Sequence, residues 1–441
     1  MTAIAHTTIT WQPSYVRYGI ATRVTGAAAM LERMEKQNRI FSGFDADAID
    51  RTTAADLAEV GSDKWTRYPG CIGAFIAEMD YGLAPCIQQA IDSACDHCKL
   101  GYIPEPWKRR VAEACAGWQK SHYGWDVDPD IIRVVPDVLE AYEIFLRELV
   151  GAGNAVVVPT PAYMPFLSVP KLYDVDVIEI EMLQGTDETT GEREWLFDFD
   201  AIERAFAAGC HAFVLCNPHN PVGRVWSAEE LEKIGDICVK NGVTIVSDEI
   251  HQDFVFKGKH QVFAGLKKEF QDISITCTSP SKTFNLASMM ISNIFIPNPE
   301  LRRKFRKQLD AAGTSQLGVL GLVATEAAYS KGEEWYQAMH AYVEANINYT
   351  KEYVEKYLPG VKMTDLEGTY LVWLDFRETG LTVEELEDLI LNKARLWLDS
   401  GKIFGKAGEG FQRINVACPR ATLTEALERI RKACYCSLRS Q

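Results

Sequence analysis

The sequence contains no run of eighteen consecutive apolar residues, so it predicts no membrane-spanning helix. Positive charge is also scarce, because 46 Lys and Arg residues face 61 Asp and Glu residues, which gives a formal net charge of −15. An acidic surface repels nucleic acid and anionic membranes, so we expect neither as a partner, whereas small charged substrates remain compatible. There are no internal repeats, and the 441 residues suffice for a large core and more than one domain.

Regular cysteine spacing is missing as well. The 12 cysteines are scattered, and Cys95 and Cys98 form a lone C-x-x-C pair around His97, without the second pair that a zinc site needs. We therefore predict no metal site and interpret ACDHC as buried thiols on a helix. The first residues carry neither a basic leader nor an apolar stretch of signal-peptide length. Together with the free thiols, this leads us to expect a cytoplasmic protein.

From about residue 130, short apolar runs alternate with helical segments. The helix at 227–242 is the clearest, because Ser227 and Glu230 match a capping box and Gly242 supplies a stop. Strand–helix–strand alternation predicts an α/β fold in which helices sandwich a mostly parallel sheet. The predicted buried strands are 155–159, 176–180, 211–218, 243–249 and 272–278.

The pattern changes after about residue 312. A long helical run is followed by a strand at 368–377, a helix from Val383 and a strand at 411–419, which predicts a smaller α+β domain. We expect the N-terminal segment to be an arm that packs on a partner subunit. The predicted divisions are an arm over 1–55, a large domain over 88–312, and a small domain formed by 56–87 with 313–441.

Three residues suggest a covalently bound aldehyde cofactor. Lys282 lies in TSPSKTFN (278–285), where its amine can react with an aldehyde and the neighbouring hydroxyls can hold a phosphate. Asp248 ends the strand VTIVSD, and its carboxylate can keep a pyridine nitrogen protonated. Asn220 precedes both, in CNPHNPVG (216–223). Each residue also fits an ordinary turn, strand-end cap or surface charge. One shared site is favoured because their order and their gaps of 28 and 34 residues resemble the spacing in a known enzyme superfamily.

These elements resemble the fold-type I pyridoxal-phosphate enzymes, the aspartate aminotransferase superfamily. The resemblance implies that Lys282 bonds covalently to pyridoxal 5'-phosphate, that Asp248 pairs with its ring nitrogen, and that Asn220 hydrogen-bonds its ring hydroxyl. It also implies that Ser279 and Ser281 bind the phosphate. The expected fold is the large and small domain pair of that superfamily.

Further positions of the resemblance surround the same cofactor. The helix that begins after Asp137 would offer the backbone N–H groups of Val138 and Leu139 to the phosphate, as helix N-termini do for anions. Tyr163, in TPAYMPF, matches the tyrosine that stacks on the cofactor ring, although an ordinary core tyrosine would look the same. Tyr102, in LGYIPEP, matches a tyrosine that reaches the neighbouring subunit's phosphate. This implies a homodimer with shared active sites.

The substrate end of the site is expected at Arg413, in GEGFQRINVACPR (408–420). The resemblance implies that Arg413 clamps the substrate α-carboxylate, a bidentate contact that suits a planar guanidinium, and that Asn220 also contacts substrate. A buried salt bridge is the alternative interpretation of Arg413. Arg420, just beyond it, is expected to have a structural role.

Two departures from the aminotransferase pattern resemble the cystathionine and cysteine-conjugate β-lyases of the MalY/PatB type. Met290 stands where many aminotransferases have an arginine, eight residues after the lysine. His251 stands where a tyrosine often follows the aspartate by three residues, so His251 is expected beside the cofactor. KWTRYP (64–69) and AEMDYG (77–82) also resemble this branch, and the resemblance covers roughly residues 60–435.

The β-lyase branch implies cleavage of cystathionine or S-substituted L-cysteines to a thiol, pyruvate and ammonia, with Lys282 as the base that removes the α-proton. An aminotransferase that uses an L-amino acid and a 2-oxo acid would need the same groups, so residue types alone leave both open. A regulatory or binding protein on this fold is a third possibility. The intact lysine, aspartate and arginine set argues against a catalytically idle fold.

Overall fold

The computed structural model of the chain describes residues 43–97, 99–186, 193–314 and 316–438. The strands are β1 (Ile72–Gly73), β2 (Ile132–Val135), β3 (Ala155–Thr160), β4 (Asp176–Glu181), β5 (Leu183–Thr186), β6 (Arg193–Leu196), β7 (Ala212–Cys216), β8 (Thr244–Asp248), β9 (Ser274–Thr278), β10 (Ser292–Phe295), β11 (Lys362–Met363), β12 (Leu371–Asp375), β13 (Leu396–Trp397), β14 (Asp399–Ser400) and β15 (Phe411–Asn415). The helices are α1 (Ala46–Asp50), α2 (Ala54–Val60), α3 (Asp63–Thr66), α4 (Pro85–Asp96), α5 (Glu105–Tyr123), α6 (Val138–Phe145), α7 (Pro165–Ser168), α8 (Phe199–Ala207), α9 (Ala228–Asn241), α10 (Phe263–Leu266), α11 (Lys268–Ile273), α12 (Pro280–Thr283), α13 (Pro299–Ala312), α14 (Val319–Lys331), α15 (Glu333–Tyr357), α16 (Val383–Asp388) and α17 (Arg420–Leu438).

A seven-stranded sheet has the order β2–β10–β9–β8–β7–β3–β4. Neighbours from β9 to β4 are parallel, and β10 runs antiparallel to both β9 and β2. The mostly parallel sheet predicted from the sequence is therefore confirmed. All five predicted strands are present, as β3, β4, β7, β8 and β9, with ends that differ by a few residues. The prediction that 176–180 is buried was wrong, because β4 lies at the edge of the sheet and none of its residues is buried.

Helices cover both faces of this sheet. Successive residues of a strand point to opposite faces, so Val156 and Val158 of β3 pack with α6 and α13, whereas Val157 packs with α8 and α9. The predicted sandwich of helices around the sheet is thus confirmed. The capping box of α9 is confirmed too, since Ser227 Oγ accepts from the Glu230 backbone N–H at 3.2 Å and Glu230 Oε2 accepts from that of Ser227 at 2.9 Å.

The register of the parallel strands brings the predicted chemistry together. Asp248 is the last residue of β8 and lies opposite Cys216 of β7 and Cys277 of β9. Asn220 follows the end of β7, and Lys282 follows the end of β9 on the short helix α12. Because parallel strands end at the same edge of a sheet, all three side chains reach one region.

The C-terminal part has the predicted α+β character. A four-stranded antiparallel sheet, β11–β12–β15–β14, packs with α15 and α17 in a core that includes Leu371, Ile414 and Leu427. The predicted long helical run divides into α14 and α15 at Gly332. A side chain there would lie 2.4 Å from the Phe284 ring, so glycine allows that ring to pack closely. The predicted domain limits stay a prediction.

The predicted N-terminal arm lies outside the described residues as far as residue 42. The remaining part of that segment packs on its own chain: Phe44 contacts Tyr81 and Tyr342 edge-to-face, and Ile49 is buried in the same core. We find no helix in the described residues with the length and apolar character needed to cross a membrane.

The interpretation of ACDHC as buried thiols was wrong for Cys95. This cysteine is exposed on α4, because the buried face of that helix is formed by Ile87 and Ala94. Cys98 lies outside the described residues.

Candidate active site

A cavity of about 480 Å³ lies beyond the carboxyl ends of β7, β8 and β9. The structure brings together in its lining every predicted site residue except Tyr102. These lining residues are Val138, Leu139, Tyr163, Asn220, Asp248, His251, Ser279, Ser281, Lys282 and Arg413.

Lys282 is partly buried at the end of α12, and its Nζ donates a hydrogen bond to the carbonyl oxygen of Ala77 at 3.2 Å. Burial and the positive charge of Arg413 lower the pKa of Lys282 to about 8, although the charge of Asp248 opposes this shift. At neutral pH a larger fraction of this amine is unprotonated than of an ordinary lysine. It is correspondingly more nucleophilic.

Contacts on the residues after Lys282 fix its backbone. Thr283 Oγ1 donates to the buried carboxylate of Asp253, which also accepts from Trp118 Nε1 at 2.9 Å. Asn285 has a left-handed φ of 56°, and its side-chain amide bonds both backbone groups of Met79, at 2.9 and 2.8 Å. The lysine is therefore held against the segment that carries Ala77 and Met79.

Asp248 is buried, and its Oδ1 accepts the backbone N–H of Ile250 at 3.1 Å. Burial raises the pKa of Asp248 to about 7, against the opposing effects of the Ile250 N–H and the charge of Lys282. A cationic group placed against this carboxyl would stabilise its ionised form. The site thus contains an acid prepared to pair with a protonated ring nitrogen.

Arg413, on β15, is 4% exposed and bonded on several sides. Its Nη1 donates to Asn220 Oδ1 at 2.8 Å, and its Nη2 donates to the Phe75 carbonyl oxygen at 2.9 Å and to Asp399. The salt bridge weighed from the sequence is therefore present. These three bonds leave two of the five guanidinium N–H groups, including that on Nε, which is buried without a partner among the described residues. The Nε–H lies on the Nη2 side of the planar guanidinium, so these two N–H groups point in different directions and each can donate one bond to a ligand. The bidentate contact that the resemblance implies would require one Nη2 bond to be exchanged.

His251 is buried in the cavity wall as a neutral imidazole. Burial and the positive charges of Lys282 and Arg413 hold its pKa well below the ordinary value. Its Nδ1 has no hydrogen-bond partner in the described part of the chain. Leaving a buried polar group unpaired costs about 1–3 kcal/mol, a cost that a polar ligand atom beside it would remove. The hydroxyl of Tyr370, whose ring lies edge-on to His251 at 6.0 Å, is unpaired in the same way.

The anion-binding end of the cavity is the start of α6. Asp137 Oδ1 accepts the Glu140 N–H at 2.8 Å and caps the helix, while the backbone N–H groups of Val138 and Leu139 have no partner within the helix and can bind an anion. The hydroxyl of Ser279 donates to the Ile291 carbonyl oxygen at 2.8 Å. Because a hydroxyl has one proton, Ser279 must exchange that bond before it can donate to phosphate.

The two predicted tyrosines lie in different places. Tyr163 lines the cavity and packs edge-to-face on Phe166 at 5.5 Å, and burial together with the charge of Asp248 raises the pKa of Tyr163 to about 12. Tyr102 is fully exposed and is not part of this lining. Stacking by Tyr163 and a role for Tyr102 in a neighbouring subunit both stay predictions.

Some lining residues were not predicted from the sequence. Asp399, the ion-pair partner of Arg413, is brought opposite it by the β14–β15 register, which no local motif reveals. Phe75 and Ala77 accept hydrogen bonds from Arg413 and Lys282 through backbone oxygens, and a backbone contact of this kind leaves no signal in the residue type. Arg67 lies in KWTRYP, a stretch that resembles the β-lyase branch, and that resemblance could have indicated it.

Comparison with known proteins gives consistent matches. The sequence model of the aminotransferase class I and II family matches residues 78–430. Cystathionine beta-lyase PatB of Bacillus subtilis (strain 168) is 38% identical over 361 residues, which are 81% of this chain and 91% of the relative. Protein MalY of Escherichia coli (strain K12) is 29% identical, with 80% of this chain and 88% of the relative covered.

Two solved structures share the fold. Cystalysin from Treponema denticola, which contains a pyridoxal 5'-phosphate cofactor, is 34% identical with a TM-score of 0.81, and the match covers 87% of this chain and 98% of that chain. A C-S lyase from Staphylococcus hominis with bound cofactor is 30% identical with a TM-score of 0.77, over 88% of this chain and 98% of that chain.

The pKa of Lys282 predicts a distinctive pH dependence of its reactivity. In cofactor-free protein, labelling of Lys282 by an amine reagent should reach half its maximal rate near pH 8, because only the unprotonated amine reacts. Exposed lysines should titrate near their ordinary value of about 10.4. Pulse labelling followed by peptide mass spectrometry measures both groups in one sample.

The variant Arg413→Met tests whether the charge of Arg413 contributes to the lowered pKa of Lys282. Removing a nearby positive charge should raise the pKa of Lys282, so the midpoint of labelling should move to higher pH. A Lys282 that titrates together with the exposed lysines would contradict this description of the site.

Proposed function

The chain belongs to the aminotransferase class I and II family, and we propose that it uses pyridoxal 5'-phosphate to cleave the carbon–sulfur bond of cystathionine or of S-substituted L-cysteines. The products are a thiol, pyruvate and ammonia. The observation that carries this proposal is the convergence of Lys282, Asp248 and Arg413 in one cavity. Its support in sequence is the 38% identity to a cystathionine beta-lyase over most of both chains.

The residues of the cavity fit this cofactor. Lys282 supplies an amine for the aldehyde, Asp248 an acid for the ring nitrogen, and Asn220 a side-chain amide for the ring hydroxyl. The free N–H groups at the start of α6 suit the phosphate. The unpaired Nδ1 of His251 in the same wall favours a polar ligand there. When bound, the cofactor supplies an electron sink for negative charge that develops on the substrate's α-carbon.

The chain's own residues would bind the substrate and move its proton. Arg413 binds the α-carboxylate through an N–H group that its internal bonds leave free, while Asp399 and Asn220 hold the guanidinium in place. Lys282, with a pKa of about 8, accepts the proton of the α-carbon as a general base. The carboxylate of Asp248 would keep the cofactor's ring nitrogen protonated and charged. His251 remains neutral and adds no competing positive charge.

An aminotransferase is the alternative, because the same groups serve amino-group transfer and the family includes such enzymes. The two reactions differ in their need for a second substrate. Elimination of a sulfur substituent needs no 2-oxo acid, whereas amino-group transfer stops without one. This difference gives a direct test.

We also infer a cytoplasmic homodimer with shared active sites. Tyr102 is fully exposed on this chain and is available to a neighbouring subunit's phosphate end, as the superfamily resemblance implies. The ten cysteines whose side chains the structure describes are free thiols, which suits a reducing compartment.

The proposed lyase should release pyruvate from L-cystathionine or an S-substituted cysteine without any added 2-oxo acid. Lys282→Ala should lower kcat by at least ~10²–10⁴-fold, because it removes the general base. Lys267→Ala, at a partly exposed lysine outside the cavity lining that pairs with Asp236, is the matched control and should keep normal activity. Coupled detection of pyruvate without 2-oxoglutarate, and of glutamate when 2-oxoglutarate is added, distinguishes elimination from amino-group transfer. Product formation that strictly requires the oxo acid would establish the aminotransferase instead.

Shared active sites predict complementation between two defective variants. Tyr102→Ala and Lys282→Ala chains, unfolded and refolded together, should regain activity, because a mixed dimer contains one site with both native residues. Statistical mixing of a symmetric dimer yields roughly a quarter of the wild-type activity. The activity should exceed the sum of the separately refolded variants. Activity equal to that sum would contradict a site that uses the partner's Tyr102.

A further inference from the structure

We propose that Arg67 binds a carboxylate at the far end of the substrate's sulfur substituent, so that the enzyme prefers cysteine conjugates with an acidic arm. This inference rests on the proposed β-lyase function and specifies its substrate class. Arg67 lies in the cavity lining together with Lys282 and Arg413.

Phe75 connects the two arginines of the lining. Its ring centroid lies 5.5 Å from the guanidinium carbon of Arg67, and its carbonyl oxygen accepts from Arg413 Nη2 at 2.9 Å. Two guanidinium groups therefore flank one residue of the cavity wall. A substrate held by its α-carboxylate at Arg413 can place a second carboxylate at Arg67.

The other cations of the cavity lining already have roles, so Arg67 can bind a second carboxylate of the substrate. Among the lining cations of the described chain, Arg413 is bonded to Asp399 and Lys282 is needed for the cofactor. Arg67 pairs with Asp63, one helical turn earlier, through two bonds: Nε to Oδ1 at 3.2 Å and Nη2 to Oδ2 at 2.8 Å. These side chains are 51% and 52% exposed. Exposed pairs of this kind contribute little to stability, so Arg67 can share or exchange this partner for a substrate carboxylate.

The backbone below Arg67 is held rigidly. Arg67 directly follows α3, and two residues of that helix bond Asp80. Lys64 Nζ donates to Asp80 Oδ2 at 2.7 Å, and Trp65 Nε1 donates to Asp80 Oδ1 at 2.8 Å. Lys64, Trp65 and Asp80 are all buried. Because the main chain is fixed in advance, binding a ligand requires no ordering of the backbone here, which reduces the entropic cost of binding.

The cavity wall next to these arginines suits a short methylene arm. Phe75, Ile76 and Met290 present apolar groups to the same cavity. A substituent with a few methylene groups and a terminal carboxylate would cover this apolar surface and pair with Arg67. A neutral alkyl substituent of equal length would gain the apolar contact alone.

Two substrates of equal length test the assignment. S-(2-carboxyethyl)-L-cysteine carries the terminal carboxylate, and S-propyl-L-cysteine replaces it with a methyl group. Arg67→Gln should lower kcat/KM for the acidic substrate by about 10–100-fold, the range expected for a charge-assisted hydrogen bond, and leave the neutral one within about twofold. Arg67→Lys should recover part of the loss.

Arg109→Gln is the matched control. Arg109 is similarly exposed and pairs with Glu113 at 2.8 Å, four residues away, but it is not part of the cavity lining. This variant should leave both substrates unaffected. If Arg67→Gln lowers kcat/KM equally for both substrates, or for neither, the assignment of Arg67 is overturned.

Calorimetric binding to the holoenzyme separates this inference from the proposed reaction. The sulfur-free analogues 2-aminopimelate and 2-aminoheptanoate differ in the same terminal group and cannot undergo carbon–sulfur cleavage. The wild-type protein should bind the acidic analogue more tightly, and Arg67→Gln should abolish the difference. Absence of pyruvate from both cysteines, with this preference intact, would overturn the lyase function but retain Arg67 as the acid-binding residue. Equal affinities in the wild type would overturn the role of Arg67 alone.

Discussion

Burial of an amine and a carboxyl at one edge of the parallel sheet is the constraint on which the site depends. Lys282 and Asp248 lie beyond adjacent strands, where little water stabilises their charged forms. The pKa of the lysine falls to about 8 and that of the aspartate rises to about 7, so their proton affinities approach each other. The positive charge of Arg413 favours the neutral amine further. A nucleophile and an acid are thereby prepared before any ligand binds, and the sheet register fixes where they meet.

The segment from residue 75 to residue 80 links the separate parts of this site. Its backbone oxygens accept from Arg413 at Phe75 and from Lys282 at Ala77, so one short stretch contacts both the carboxylate-binding residue and the nucleophile. The same stretch is anchored at Asp80 through buried bonds to α3. This arrangement joins residues more than 200 positions apart in the sequence. It also explains how Arg67, just after α3, comes to share a cavity with residues of the central sheet.

Local sequence was sufficient for the parts of the molecule that local interactions determine. The strands and the capping box of α9 followed from apolar periodicity and capping chemistry. The convergence of Asn220, Asp248 and Lys282 was expected because their order resembles that of a known superfamily. The remaining features depend on tertiary contacts, which local sequence does not reveal. The pairing of Arg413 with Asp399 depends on strand register, and the exposure of Cys95 depends on which face of its helix meets the core. Family resemblance indicated which reaction to expect, because elimination and amino-group transfer need the same residue types.

The most direct measurement concerns the covalent bond expected at Lys282. The purified protein, supplied with pyridoxal 5'-phosphate, should absorb in the near-violet, and borohydride reduction should fix the cofactor permanently to one peptide. Our account predicts that peptide mass spectrometry finds the added mass on Lys282, and that Lys282→Ala loses both the label and the absorbance. A protein that gains no absorbance from the cofactor, or that carries the label on a different lysine, would contradict it.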